Sequence, residues 1–312
     1  MAGEVSAGNI TEFIYYVNLL TWPIASIGWV TSLVQSASAS MERLDEFLNE
    51  APDFESGQFI PTEFKGHIVF DRVSFTYPNS GVQALKEVSF ELKSGQSLGV
   101  LGKTGAGKST IAALIVRQYD PTSGAIYIDG VNLKEWNLPA LKGHLGWVPQ
   151  EAFLFSDTIA NNISFGMDSF NLPEVIAASK AAGVHGNIIE FPKSYETRVG
   201  ERGVTLSGGQ KQRVSIARAL IKKPEIMVFD DCLSAVDTET EEIILTNIKA
   251  ATQDVSSLII AHRISSVKHC DQIICLEDGR VIERGTAEEL EQAGGHFAEL
   301  VALQLDSSLE EN

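Results

Sequence analysis

Three hydrophobic patterns follow one another along the chain. The first is continuous: between Glu12 and Glu42 there is no Asp, Glu, Lys or Arg. As a helix that stretch would run about 43 Å at 1.5 Å per residue, enough to cross a bilayer. Residues 13–34 are its most apolar part, with Tyr15, Tyr16, Trp22 and Trp29 as interface-type aromatics. Pro23 is tolerable in a membrane helix and would kink it. One seam is small or polar throughout, Asn18, Thr21, Ala25, Gly28, Ser32, Gln35 and Ala39, the face expected to pack on other membrane helices or to line a pathway. A buried helix of a soluble protein remains the alternative to a span. The start Met-Ala-Gly-Glu has no basic segment, which argues against a signal peptide.

The second pattern has a shorter period. After a charged amphipathic continuation over 41–48 and a Pro- and Gly-containing linker over 51–61, apolar runs at 68–70, 73–75, 88–92, 98–101 and 125–128 read as strands. In the third, helical stretches at 110–116, 173–182, 209–221 and 239–251 alternate with strands, the last two of which are at 226–229 and 257–260. This βαβ alternation predicts an α/β fold whose mostly parallel sheet is covered by helices.

Between the strand at 98–101 and the helix at 110–116 lie Gly102, Lys103, Thr104, Gly105, Ala106, Gly107, Lys108 and Ser109, fitting Gly-x-x-x-x-Gly-Lys-[Ser/Thr]. The glycines let successive backbone N–H groups point into one concavity at a helix N-terminus, where a phosphate is stabilised by donors and dipole. Lys108 adds a full charge for β- and γ-phosphates, and the Ser109 hydroxyl suits Mg²⁺. The strand at 226–229 delivers Asp230 and Asp231 at its C-terminal end. Asp230 is the metal-side carboxylate expected of a phosphate-loop enzyme. Asp231, one position on, can address the attacking water.

Composition narrows the partners. A net charge of −17, from 41 acidic and 24 basic residues, argues against nucleic acid, whose phosphates need a basic footprint. Cys232, Cys270 and Cys275 are too few and too poorly spaced for a disulfide framework or a zinc site.

At residues 206–210, Leu-Ser-Gly-Gly-Gln, followed by Lys211-Gln212-Arg213, the chain resembles the signature of ABC-transporter ATPases. The other landmarks fall in order. Tyr77 matches the aromatic that stacks on adenine. Gln150 matches the glutamine that contacts Mg²⁺ and water and senses the membrane domain. Residues 234–237, Ser-Ala-Val-Asp, match the loop that crosses the dimer interface, and His262 matches the switch histidine near the γ-phosphate. The resemblance implies an ABC-type P-loop ATPase domain over 64–303, with a mostly parallel core, an antiparallel β subdomain and a helical subdomain. ATP and Mg²⁺ are its implied ligands. ATP contacts are implied for Tyr77, residues 102–109 and Thr110. Ser207, Gly208, Gly209 and Gln210 would contact ATP held by a second subunit. Implied metal contacts are Ser109, Gln150 and Asp230, and Asp231, His262 and Gln150 carry the implied catalytic roles.

Residues 197–203, Thr-Arg-Val-Gly-Glu-Arg-Gly, resemble the coupling segment of exporters, as does an N-terminal span fused to the ATPase. On that resemblance residues 1–50 look like the last helix of a six-helix membrane domain with its cytosolic extension, 51–63 a linker and 304–312 an acidic tail. The chain is then the C-terminal part of an exporter half-transporter in the inner or plasma membrane, its ATPase domain cytoplasmic, with lipid and a second half-transporter as partners. One departure stands out. Family members usually carry Glu after the metal aspartate, and here the residue is Asp231. The shorter carboxylate resembles the mark of the weakly hydrolysing half of a heterodimer. A homodimer with slow hydrolysis and a stand-alone ABC ATPase of non-transport function are the alternatives. No residue here identifies a transported substrate.

Overall fold

The structure, a computed structural model, describes residues 6–50, 54–200, 206–232, 244, 246–247 and 255–310, with no side-chain detail for 305–310. Two units are distinct, residues 1–55 and 56–312. The expected interface loop at 234–237, the helix at 239–251 apart from three of its residues, and positions 201–203 of the coupling segment lie outside the described residues.

The first unit is one helix, α1 (Ala7–Leu48), with Ser6 as its N-cap and Pro23 inside it. None of its residues is buried. Several of its polar side chains are bonded to its own backbone: Asn18 Nδ2 donates to Ile14 O at 3.0 Å, Thr21 Oγ1 to Val17 O at 2.8 Å and Thr31 Oγ1 to Ile27 O at 2.8 Å. Polar groups satisfied in this way are compatible with an apolar surrounding. With an 18-residue window of mean hydropathy 1.4, the helix is long and apolar enough to cross a membrane by length and composition.

In the second unit, β1 (Ile68–Thr76), β2 (Gln83–Leu92), β4 (Ser123–Ile128) and β5 (Val131–Asn132) form an antiparallel sheet in the order β2-β1-β4-β5. The two runs read at 68–70 and 73–75 are one strand. Its register shifts between Phe70 and Val73, where Arg72 has φ 44° and donates its N–H to Ser89 Oγ at 2.8 Å. Such a bulge keeps pairing while re-aiming the side chains. A six-stranded sheet runs β10-β9-β3-β8-β7-β6, from β3 (Ser97–Gly102), β6 (Leu145–Val148), β7 (Ile226–Asp230), β8 (Ser256–Ile260), β9 (Gln272–Glu277) and β10 (Arg280–Gly285). All its pairs are parallel except the β9–β10 hairpin.

The described helices of this unit are α2 (Lys108–Ile115), α3 (Leu138–His144), α4 (Ile159–Ile163), α5 (Leu172–Ala181), α6 (His185–Ile189), α7 (Gly208–Leu220), α8 (Ala287–Ala293) and α9 (His296–Glu310). One core cluster joins α2 to both sheets through Ile111, Leu114, Ile68, Phe70, Val100 and Leu258. An apolar helix buried all round in this way is held by packing rather than by an amphipathic stripe. A second cluster joins α4 to α7 with Met227 and Phe229 of β7, and a third places Leu290 and Phe297 against Leu101 and Ile273.

Candidate functional site

The arrangement of strands decides where chemistry can occur. In an open parallel sheet the ligand crevice lies beyond the carboxyl ends of the strands. Here β3, β8, β7 and β6 are successive neighbours. Residues 103–109 follow β3, His262 follows β8, Asp230 ends β7 with Asp231 next, and Gln150 follows β6. Residues far apart in sequence are thereby collapsed into one cleft of about 380 Å³, lined by Lys108, Ser109, Gln150, Asp231 and His262 among others.

The loop after β3 is built for an anion. The N-cap of α2 is Gly107, at φ 101°, and no side chain caps the helix. A Cβ at Gly107 would come within 2.5 Å of Ala84 O, so only glycine lets β2 approach the turn. The first-turn N–H groups of α2 therefore face the cleft without a side-chain acceptor. Lys108 is almost fully buried. Its Nζ donates to Gly102 O at 2.7 Å and to Lys103 O at 3.0 Å, which curls the side chain over the loop. Burial pushes its pKa below the ordinary lysine value, and the carboxylates of Asp231 and Asp230 partly oppose that shift.

Next to the lysine, Ser109 Oγ donates to Asp230 Oδ1 at 2.9 Å. Burial raises the Asp230 pKa, the charge of Asp231 raises it further, and the Ser109 bond and Lys108 oppose. A buried carboxylate held above its usual range is a site prepared for a cation. A hydroxyl, a carboxylate and the nearby Gln150 amide form the hard oxygen set that Mg²⁺ takes together with substrate phosphates. Among the described residues there is no cluster of three His, Cys, Asp or Glu side chains that could hold a metal by themselves. Ser109 and Asp230 thus fit Mg²⁺ that arrives with a nucleotide.

Asp231 occupies a different surrounding. It has φ 47°, unusual for a residue other than Gly, Asn or Asp, and its N–H donates to Ile260 O at 2.9 Å. Its Oδ2 lies 3.4 Å from Gln150 Nε2 and 3.7 Å from His262 Nε2. Asp230 and Asp231 are adjacent in sequence but have different partners, Ser109 for the first and Gln150 and His262 for the second. Tyr77 lines the same cleft, edge-on to Tyr119 at 5.6 Å, and its hydroxyl is 3.0 Å from Thr110 Oγ1.

Residues 207–210 are placed elsewhere. Ser207 is the N-cap of α7 in a reciprocal capping box: Ser207 Oγ accepts from Gln210 N at 3.2 Å, and Gln210 Oε1 accepts from Ser207 N at 3.0 Å. Ser207, Gly208, Gly209 and Gln210 do not line the cleft. Cleft residues that the sequence reading passed over are Val82, Gln83, Ala84, Lys86, Asp278 and Gly279. Asp278 at φ 48° and Gly279 at φ 77° make the β9–β10 turn, and Gly279 O accepts from Lys86 N at 2.8 Å. The Asp-Gly pair between two strand-like runs was the available signal.

Comparison with known proteins bears on the family and the fold. Residues 85–234 match the family model described as ABC transporter. The chain is 39% identical over 310 residues to the multidrug resistance-like ATP-binding protein MdlA of Escherichia coli, covering 99% of this chain and 52% of that one. It is 39% identical over 308 residues to an ATP-dependent lipid A-core flippase of Pseudomonas putida, covering 98% and 51%. A solved bacterial Atm1-family ABC exporter with ATP bound superposes with a TM-score of 0.84 at 36% identity, over 97% of this chain and 54% of that one. The chain spans about half the length of the curated relatives it matches.

Proposed function

Because this chain carries an ABC transporter ATP-binding domain, we propose that it binds ATP with Mg²⁺ at the cleft beyond β3 and β7 and hydrolyses it to drive export across a membrane. The observation that carries this reading is the convergence in one cleft of an uncapped helix N-terminus, Lys108, the Ser109–Asp230 pair and the Asp231–Gln150–His262 group. The first-turn N–H groups of α2 and Lys108 would hold the β- and γ-phosphates. Mg²⁺ bound at Ser109 and Asp230 would supply neutralisation of phosphate charge. Tyr77 would lie along the adenine. Gln150 and His262 orient a water, Asp231 accepts its proton, water oxygen bonds to the γ-phosphorus, and the bond to the bridging oxygen breaks to leave ADP and inorganic phosphate.

A self-capped α7 suits a surface completed by another chain. Residues 207–210 would close on ATP held by a second half-transporter, so that two nucleotides are sandwiched and hydrolysis releases them. α1 would be the last helix of a membrane domain in the inner or plasma membrane, the 64–303 domain lying at the cytoplasmic face. One helix cannot enclose a pathway. The relatives' names run from multidrug resistance to lipid A-core flipping, so an amphipathic or lipidic cargo is the class they favour.

The shorter Asp231 supports reading this chain as the weakly hydrolysing half of a heterodimer. A base set back by about 1 Å costs on the order of 10²-fold in rate. Asp231→Glu is expected to raise phosphate release at this chain's own site, and Asp231→Asn to lower it further. If neither substitution changes turnover in the isolated chain or in the complete transporter, Asp231 is not the base.

A further inference from the structure

Gln212 follows the signature segment and has been given no role so far, yet it lies between that segment and Gln150. It stands on α7, four residues after Gly208, and is only 6% exposed. Its Nε2 donates to the backbone oxygen of Gln150 at 3.2 Å. Its Oε1 is fully buried and accepts no hydrogen bond among the described residues. Burying an amide oxygen without a donor is costly, and a methionine of nearly the same length would fill the space without that cost. The donor end, however, cannot be replaced by an apolar chain. Gln150 in turn reaches Asp231 Oδ2 with its own amide. A continuous line therefore runs from the N-terminus of α7, through Gln212, to the peptide that carries Gln150 and on to Asp231. The helix end of that line is stiff. Arg213 anchors α7 by donating from Nη1 to Gly183 O at 2.9 Å, and Arg218 anchors it by donating from Nε to Asn162 O at 2.7 Å. A displacement of residues 207–210 is thus carried to Gln212 with little loss along the helix.

We propose that Gln212 is a positioning residue that ties α7 to Gln150, so that contact made by the partner's nucleotide at residues 207–210 sets the placement of the water-orienting amide at this chain's own ATP site. The inference rests on the ATP-site reading above. Gln212 touches no phosphate and lies outside the cleft lining, so its removal leaves ATP affinity unchanged and acts on turnover alone. It acts through Gln150, so the two side chains are not additive.

The test uses the full chain in detergent under steady-state conditions, with ATP·Mg²⁺ as the probe. Gln212→Met removes the donor and the buried unpaired oxygen together. Gln212→Glu keeps a polar chain of the same length without a donor. Each is expected to lower kcat by about tenfold, the scale of a sub-ångström misplacement of a catalytic group. KM for ATP should remain within twofold, and the melting temperature of the Met variant should be equal to wild type or higher. In a Gln150→Ala background the same substitutions are expected to change kcat by less than about twofold. Wild-type kcat in both variants overturns the proposal, as does an equal loss with and without Gln150. Equal ATP binding by wild type and Lys108→Ala would instead remove the ATP-site reading itself, which separates the two failures.

Discussion

The N-termini of α2 and α7 are both glycine-containing helix starts, and they solve the same problem in opposite ways. At α2 the cap is a left-handed glycine without a side chain, so the first-turn donors are left for a ligand, with Lys108 beside them. At α7 the cap is Ser207, and Gln210 closes the box, so two donors are satisfied within the chain. A helix end that is left open needs an anion. One that is capped can stand in water by itself and meet a phosphate only when another surface delivers it. On the proposed reading this difference predicts which end binds ATP first, with α2 as the resident site and α7 as a completing surface.

Breaking the resident site should have the largest effect. Lys108→Ala removes the full positive charge that the proposed reading gives to the β- and γ-phosphates. Charge-assisted hydrogen bonds of this kind are worth about 1.5–3 kcal/mol, so ATP affinity should fall by about 10- to 100-fold. Calorimetric titration checks this, with the melting temperature of the ligand-free protein as a control.

A smaller effect sharpens the comparison from the side of charge. α2 faces a buried carboxylate whose pKa is raised chiefly by burial. A group with a raised folded pKa stabilises the fold in its protonated form and loses that contribution as pH rises through the folded value. In its ionised form Asp230 is therefore a liability in the ligand-free domain. Asp230→Asn should raise the melting temperature by a few degrees at neutral pH while removing the Mg²⁺ dependence of ATP binding. The gain should shrink as pH falls below the ordinary carboxylate range, where both states are protonated and the penalty vanishes. A melting temperature lowered at pH 7 contradicts this assignment.

Much of this was legible in the chain. Gly102 to Ser109, the apolar run that delivers Asp230 and the order of Gln150 and His262 carry local signals, because backbone turns and strand ends constrain residue type directly. The parallel sheet followed from alternation, and all its strand pairs but the β9–β10 hairpin are parallel. What escaped was non-local or conformationally exceptional. β1 was read as two strands because the bulge at Arg72 has no glycine to mark it. The β9–β10 hairpin carried an Asp278-Gly279 turn signal, but its place against Lys86 depends on tertiary approach. Gln212 reads as an ordinary polar helix residue until α7 is packed beside Gln150. Periodicity reports which face a residue occupies, and it does not report which backbone oxygen that face will meet.

The difference between the two helix ends can be tested on a single sample. Amide hydrogen exchange is recorded on the wild-type chain in detergent, without nucleotide and with saturating ATP·Mg²⁺, at concentrations low enough to keep it monomeric. The expected result is strong new protection at residues 105–109, with residues 208–210 unchanged until a second ATP-binding domain is added. Protection that arises first or equally at residues 208–210, or none at 105–109, would contradict the assignment of α2 as the resident phosphate site.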